Sequence, residues 1–258
     1  MLPRPFLTAA LGLLLVCIPG IASADAVLRF VDSHGEHSQM LVKAPYARMD
    51  IVNGGSGHTG YMLFYAEDRS LYVVDDGSGT YMPLNEDVID AQKRAMDEMI
   101  DGMRSRIQQL PPEARAEMER QFGIGVDAGP VEVSAQPTGR EQDLNGLRCQ
   151  EKEILVAGRV QHVACVADAE TLGLSPVDFE TISALMERLF DLSKRALDAG
   201  GPIAMAMGSN VIPRLDGVPL TVRDVRDGVT TRLTGISTDP ISPELFRVPA
   251  SYREQAPF

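Results

Sequence analysis

Tryptophan is absent from this 258-residue chain, aromatic residues make up only 5% of it, and three cysteines and four histidines occur. Basic residues are also in deficit, with 24 Lys and Arg against 36 Asp and Glu. The resulting net charge of −12 repels nucleic acid and anionic lipid headgroups, so we expect neither as a partner. Because aromatics are scarce, aliphatic side chains and the 12 methionines must form most of the core.

The longest apolar run lies at the N-terminus. Arg4 precedes an apolar stretch at residues 7–18, and small residues follow at 22–24. This pattern predicts a signal peptide over residues 1–24, cleaved after Ala24. The stretch is shorter than the roughly 20 residues that span a bilayer. We therefore expect a mature chain without a transmembrane segment, located in the periplasm or secreted.

Cys17, within this run, raises the alternative of a lipoprotein. Lipid attachment requires a small residue just before the cysteine, whereas Val16 is branched and bulky. The residues after Cys17 are apolar, where a lipoprotein usually turns polar. An ordinary hydrophobic residue within the signal is the favoured interpretation.

The two other cysteines, Cys149 and Cys165, lie in two strand-like runs joined by a turn at residues 157–158. If the two strands pair around this turn, Cys149 lies opposite Cys165 or within one residue of the opposite position. In an oxidising compartment this arrangement predicts a cross-strand disulfide. Catalytic redox pairs usually show Cys-X-X-Cys, and a zinc site needs two more ligands. A structural disulfide is therefore favoured over both alternatives.

The pattern of apolar residues changes along the chain between strand-like and helix-like. Strand-like runs with Gly, Asp and Asn turns occupy residues 26–84, 131–167 and 219–236. Helical spacing occupies residues 86–109, 113–122 and 175–200, with Asn85 and Ser175 as N-caps. This order predicts one α+β domain over residues 25–258 with a helical insertion at 85–122. Helices should cover one face of its antiparallel sheet.

The predicted helices carry apolar stripes that are rich in methionine. An amphipathic stripe normally packs against a core. The alternative is a soft lid over an apolar groove, because methionine adapts to irregular ligands. The residues that would line such a cavity are Met96, Met99, Met103, Phe179 and Leu189.

Four segments of the sequence carry a resemblance to a known type of protein. They are a strand with lysine, proline and arginine at residues 43–50, the strands at 62–65 and 71–75, and the sequence Phe-Arg-Val-Pro-Ala-Ser-Tyr at residues 246–252. Together these segments resemble exported bacterial proteins of the lipoprotein-carrier (LolA/LolB-like) type. Residues 110–115 are similar to a secreted family of unknown function with the same half-barrel fold. The resemblance implies a curved antiparallel sheet wrapped around helices and enclosing an apolar cavity. It implies no catalytic residues.

Asp32, His34, Glu36 and His37 form a cluster of residue types that bind metals. A tight turn can bring such ligands together, but the helix that supports the usual zinc spacing is missing. A polar hairpin tip is the favoured interpretation. The alternative function is a metal-binding protein or a metal-dependent hydrolase built on this turn.

No nucleophile elbow, phosphate-binding loop or calcium-loop spacing occurs in the sequence. We therefore expect a non-enzymatic envelope protein that needs no cofactor. Its expected partner is an apolar small molecule, a lipid or an envelope protein, bound between the sheet and the helices. A purely structural assembly factor would show the same sequence features.

Overall fold

The computed structural model describes residues 25–52, 59–114, 131–206 and 213–255. Twelve strands form one curved, open sheet. The strands are β1 (Ala26–Val31), β2 (His37–Lys43), β3 (Tyr46–Val52), β4 (Thr59–Tyr65), β5 (Ser70–Asp75), β6 (Thr80–Pro83), β7 (Val133–Leu144), β8 (Leu147–Val156), β9 (Arg159–Ala167), β10 (Val218–Asp224), β11 (Thr230–Ser237) and β12 (Arg253–Glu254). The helices are α1 (Glu86–Ile107), α2 (Ala169–Leu172), α3 (Pro176–Ala206) and the 3₁₀ helix η1 (Pro243–Phe246).

The sheet consists of two antiparallel meanders placed side by side. Strands β1 to β6 are neighbours in chain order, and so are β7 to β11; we call these groups the N-meander and the C-meander. Antiparallel pairing of β1 with β11 joins the two, and β12 adds in parallel to β6 at one edge. The expected α+β class with a curved antiparallel sheet is confirmed, whereas the parallel β12 was not expected.

The long helix α3 packs on one face of the sheet, which we call the helix face. Strand alternation directs every second side chain to this face. The buried strand residues there include Ala26, Leu28, Met40, Val42, Phe64 and Leu71, and α3 contributes Ile182, Leu185, Leu189 and Leu192. Full burial of a side chain of this size contributes about 1.5–3 kcal/mol, so this layer dominates the stability of the fold.

Two hydrogen bonds between Ser175 and Asp178 fix the start of α3. The Ser175 hydroxyl donates a hydrogen bond to Asp178 Oδ2 (2.5 Å), and the Asp178 amide donates to Ser175 Oγ (3.2 Å). The fully buried Asp178 also accepts the amide hydrogen of Ala44 in the β2–β3 turn (3.3 Å). The predicted N-cap is thus confirmed, and it anchors α3 to the N-meander.

The C-terminal end of α3 differs from the prediction. The glycines at 200–201 were expected to end the helix, yet α3 continues to Ala206. Glycine lowers helix stability by roughly 1 kcal/mol relative to alanine but does not forbid helical backbone. The alanines and methionine that follow favour the helix and let it continue.

Helix α1 packs along α3 and is held to it by exposed ion pairs. Asn85 caps α1 as predicted, because its side chain accepts the Val88 amide hydrogen (3.0 Å). Arg188 of α3 pairs with Glu86 (2.5 Å), and Arg195 pairs with Asp90 (2.6 Å). Neither α1 nor any other described helix has both the length and the apolar character needed to cross a membrane.

The opposite face of the N-meander, which we call the outer face, is crossed by residues 241–254. Val27 and Leu41 are buried there against Ile241 and Phe246. Asp25 holds the start of this C-terminal segment, since it accepts the Ile241 amide hydrogen (2.5 Å). The N-meander therefore has packing partners on both faces.

The other edge of the sheet, β7, is protected against pairing with a further strand. Gly139 adopts a positive φ of 79°, and the register with β8 shifts between Pro137 and Glu141. Proline and an irregular backbone at an edge discourage strand addition. The sequence did not identify this interruption within a long strand.

Candidate binding site on the outer face

Cys149 and Cys165 are joined by a disulfide, with their Cα atoms 5.3 Å apart. The predicted bond is therefore present, but the predicted register is wrong. Glu151 lies opposite Cys165, so Cys149 is two positions away and reaches Cys165 diagonally. The reason is a bulge at Gln161, which adds one residue to β9 and shifts the pairing. Both cysteines are buried on the helix face.

The residues predicted to line an apolar cavity occupy different environments. Leu189 is buried between α3 and the sheet, and Phe179 packs against the same core. Met99 is 47% exposed on α1. The side chains of Met96 and Met103 lie outside the described part of the structure. Among the three described side chains, two are thus core residues and one is at the surface.

The Asp32 turn forms a polar hairpin tip. Asp32 Oδ1 accepts the amide hydrogens of His34 (2.8 Å) and Glu36 (2.9 Å). Backbone hydrogen bonding, chiefly from Glu36, lowers the pKa of Asp32. Over the residues that the structure describes, no three His, Cys, Asp or Glu side chains are grouped to hold a metal ion. Metal binding by His34 and His37 stays a prediction.

Tyrosine is concentrated on the outer face of the N-meander. The chain has six tyrosines: Tyr46, Tyr61, Tyr65, Tyr72 and Tyr81 on β3 to β6, and Tyr252 in the C-terminal segment. Four of them form a continuous row, with ring centroids 5.5 Å (Tyr46–Tyr65), 5.6 Å (Tyr65–Tyr72) and 6.1 Å (Tyr72–Tyr81) apart. We call this row the tyrosine ladder.

A groove of about 420 Å³ lies where the C-terminal segment packs against the ladder through Val248 and Tyr252. Its lining consists of Tyr65, Tyr72, Tyr81, Tyr252 and residues 247–250, and we call it the tyrosine groove. Neighbouring rings of its floor are inclined by 53° and 65°, so they pack in tilted and edge-on contacts. The groove thus combines an aromatic floor with a wall formed by the C-terminal segment.

Hydrogen bonds fix two of the four lining tyrosines. The Tyr252 hydroxyl donates to Asp76 (2.9 Å), and the Tyr81 hydroxyl donates to Glu254 (3.4 Å). The hydrogen bond to Asp76 raises the pKa of Tyr252, and burial raises the pKa of Tyr65. These phenols therefore stay protonated at neutral pH and can donate hydrogen bonds.

The hydroxyls of Tyr65 and Tyr72 differ from those of Tyr252 and Tyr81. Neither makes a hydrogen bond to another residue within the described ranges. Both rings are half-buried in the floor of the groove, so their hydroxyl groups are the polar atoms of the floor that a ligand could engage.

Arg48 supports this surface from one side. Its guanidinium lies 3.6 Å from the ring centroid of Tyr61, and it bonds to Asp50 (2.9 Å) and to the Leu245 carbonyl (3.4 Å). Because Tyr61 is buried, this cation–π contact belongs toward the upper end of a range of about 0.5–2 kcal/mol. Arg48 therefore links the C-terminal segment to the strands that carry the groove.

Sequence reasoning assigned these tyrosines to strands and missed their common surface. The available signal was alternation in β4, where Tyr61 and Tyr65 lie on the opposite face from Phe64. The second wall could not be inferred locally, because residues 247–252 are far from β4 to β6 in sequence.

A second cavity, of about 260 Å³, lies near α2 and β8. Its lining includes side chains of both charge signs, among them Arg148, Asp168 and Glu141. Lys152 at this cavity pairs with Asp216 (3.8 Å). Because its charges offset one another, this cavity favours no ligand of either sign, and the tyrosine groove is the better candidate.

No family model matches the sequence, and no curated protein matches it. Matching solved structures include an uncharacterized conserved protein from Thermus thermophilus, with 9% sequence identity and a TM-score of 0.42. The match covers 91% of each chain. A likeness at this TM-score supports no conclusion about fold or function, and the lipoprotein-carrier resemblance stays a prediction.

Proposed function

We propose that this protein is an exported, non-enzymatic binding protein of the cell envelope, and that the tyrosine groove is its binding surface. The observation that carries the proposal is the gathering of four tyrosines around one open groove. Tyrosine is enriched at recognition surfaces because it offers a large, rigid contact area at a low cost in conformational entropy.

The disulfide and the predicted signal peptide support export. The Cys149–Cys165 bond joins neighbouring strands, and such bonds persist in oxidising compartments outside the cytosol. Residues 1–24, which carry the predicted signal, lie outside the described residues. Removal after Ala24 would leave Asp25 first, and the Asp25 side chain is bound to Lys43 (2.7 Å) and to the Ile241 amide.

The groove is also preorganised, which favours binding. Its floor is built on paired strands, and its wall is held by the hydrogen bonds of Tyr252 and Tyr81. A surface that is ordered before the partner arrives loses less entropy on binding.

Site-specific photo-cross-linking in intact cells tests the proposal. A benzophenone amino acid is placed at Tyr72, inside the groove, and in a matched variant at Val225, an exposed apolar position on the β10–β11 turn. We expect a discrete cross-linked product from position 72 and none from position 225. Absence of a product at 72, or equal products at both positions, would contradict the proposal.

A second candidate function is carriage of an apolar ligand between the helices and the sheet. The observation that favours it is the attachment of α1 to α3 through exposed ion pairs, with Met99 left at the surface. Titration with a fluorescent fatty acid and mass spectrometry of the protein from its native host test this function. Saturable binding or a co-purified lipid would support it, and absence of both would exclude it.

A further inference from the structure

We propose that the predicted signal is removed before the C-terminal segment docks, because docking buries the residue that a signal peptidase has to reach. This inference rests on the proposed function, since it concerns the order of steps by which an exported chain completes the tyrosine groove. It depends on the contacts of Asp25, on the pairing of β1 and on the position of the C-terminal segment.

Asp25, the first residue after the predicted cleavage position, is held by two distant parts of the chain. Its carboxylate oxygens accept hydrogen bonds from Nζ of Lys43 (2.9 and 2.7 Å). One of these oxygens, Oδ2, also accepts the amide hydrogen of Ile241 (2.5 Å). Only 2% of the Asp25 side chain is exposed. We call these contacts the Asp25 latch, and they join the start of β1 to the end of β2 and to the start of the C-terminal segment.

The residues after Asp25 are fixed in the sheet. Ala26 is 1% exposed and lies opposite Val42 of β2. Val27 pairs with β2 on one side and with β11 on the other. The first residues of a domain are usually mobile unless they are tied down, and here two strands and an ion pair tie them down. The chain that follows the cleavage position is therefore part of the folded sheet.

A peptidase and the folded sheet compete for the same residues. A protease takes the chain on both sides of the scissile bond as an extended strand, so residues 25 and 26 must enter the enzyme. Withdrawal of these residues breaks the Asp25 latch and its ion pair. It also pulls Val27 away from Ile241 and Phe246, which it contacts on the outer face. An accessible cleavage position and a docked C-terminal segment are therefore alternative states of the chain.

The predicted signal favours export of an unfolded chain. Arg4 is the single basic residue before the apolar run at 7–18, so the sequence lacks the paired arginines of twin-arginine signals. An unfolded chain meets the peptidase before β1 has paired with β11. The C-terminal segment provides the wall of the tyrosine groove. The groove is therefore completed only after the signal has been removed.

Cleavage of the full precursor by a purified signal peptidase tests the inference. One sample of residues 1–258 is refolded in detergent before the enzyme is added, and the other is diluted from urea directly into the enzyme. We expect the refolded precursor to be cleaved at least about tenfold more slowly, because cleavage then requires a rare open state. Gel mobility and the N-terminal sequence of the product measure the cleavage.

Variants separate the Asp25 latch from other causes of slow cleavage. Phe246→Ala loosens the C-terminal segment without altering the cleavage position, so it should accelerate cleavage of the refolded precursor. Leu245→Ala, at an exposed neighbouring position, is the matched control and should leave cleavage slow. If Phe246→Ala does not refold, Lys43→Met provides the same arm, since it removes the cation of the latch. An insert of about eight Gly and Ser residues after Asp25 should restore fast cleavage of the folded precursor.

Three outcomes would overturn the inference. The first is cleavage of the refolded precursor at the rate of the unfolded chain. The second is slow cleavage that the insert does not relieve, and the third is cleavage that refolded Phe246→Ala leaves unchanged. Each of these removes the order of steps and leaves the proposed function standing. Failure of the peptidase to cut even the unfolded chain would instead contradict the predicted signal, and with it the export in the proposed function.

Discussion

The N-meander holds five of the six tyrosines, and the C-terminal segment crosses its outer face. In the C-meander, strands β7 to β11 contain no Phe, Tyr or Trp, and a disulfide joins two of them. The two halves share one antiparallel sheet and one covering helix, yet they are stabilised differently. A covalent bond holds neighbouring strands of the C-meander, and non-covalent packing of a distant segment covers the N-meander.

This difference explains why the groove lies where it does. Burial of aromatic rings stabilises a fold, and the C-terminal segment covers those of the outer face only in part. The C-meander offers no such surface. Its outer face is closed at Ile154, Ala164 and Val166 by Leu215. The C-meander therefore serves as scaffold, and the N-meander presents the recognition surface.

Removal of the Phe246 side chain, which anchors the C-terminal segment, should have the largest effect on stability. Phe246 is 2% exposed against Val27, Leu41 and Ile241, so Phe246→Ala should lower the free energy of unfolding by about 3–5 kcal/mol. Urea denaturation measures this change. Leu245→Ala is the control, because Leu245 is 41% exposed and should cost less than about 0.5 kcal/mol. Equal effects of the two substitutions would show that the segment does not stabilise the N-meander.

Removal of the disulfide should have the next largest effect. The bond closes a loop with a sequence separation of 16, and the chain-entropy model gives about 3 kcal/mol for a loop of this size. Denaturation with and without reductant measures the difference, and the double variant Cys149→Ala with Cys165→Ala should not respond to reductant. Thiol labelling of the denatured protein without residues 1–24, and hence without Cys17, should detect no cysteine before reduction and two after it. Two labelled thiols without reductant would refute the bond.

Two glycines compare the packing of the meanders directly. A Cβ atom on Gly217 would lie 2.5 Å from the Ala167 carbonyl oxygen, and its φ of 143° is also unfavourable for other residues. On Gly60 of the N-meander the nearest atom would be the Val74 oxygen at 2.9 Å. We expect Gly217→Ala to cost about 2–3 kcal/mol and Gly60→Ala about 1 kcal/mol.

Thermal unfolding of both glycine variants checks this order. Gly235→Ala is the matched control, because no atom lies within 4 Å of its added Cβ. The reverse order, with Gly60→Ala the more destabilising, would mean that the N-meander is packed more tightly than the C-meander.

The smallest expected effect is the change in the stability of α1 with pH. The hydrogen bond from Arg188 lowers the pKa of Glu86 from 4.5 to about 2. This ion pair therefore stabilises the fold above about pH 4.5, and its contribution is lost as the pH falls toward 2. Since the Glu86 side chain is 48% exposed, we expect less than about 1 kcal/mol.

Hydrogen exchange of the α1 amides across this pH range provides the measurement. Protection in α1 should fall with acid while protection in α3 stays constant. Arg188→Gln should remove part of the pH dependence, and an unchanged profile in that variant would show that the pair does not hold α1.

Local features of the fold were predictable from local sequence. Asn85 and Ser175 cap their helices as expected, and Cys149 bonds with Cys165. The features that the sequence did not predict depend on long-range contacts or on single residues that interrupt a pattern. Gln161 shifts the cysteine register by one residue, and alternation alone does not reveal such a bulge.

The candidate site was less predictable than the fold, for the same reason. The tyrosines are visible in the sequence, but the groove exists only because residues 247–252 return to the N-meander. The parallel strand β12 spans only two residues, so it carries no recognisable pattern of its own. Sequence reasoning therefore directed attention to the helix face, where Phe179 and Leu189 are core residues.

The seam between β1 and β11 sets the order in which this sheet can be completed. Val27 pairs with Ser237, so β1 completes its pairing only when a strand far along the chain reaches it. Contacts between residues so far apart in the chain form slowly, because a long loop must close first. Until then, one edge of β1 is open to strands of other chains. The time that β11 takes to pair therefore sets how long this edge of β1 stays available for aggregation.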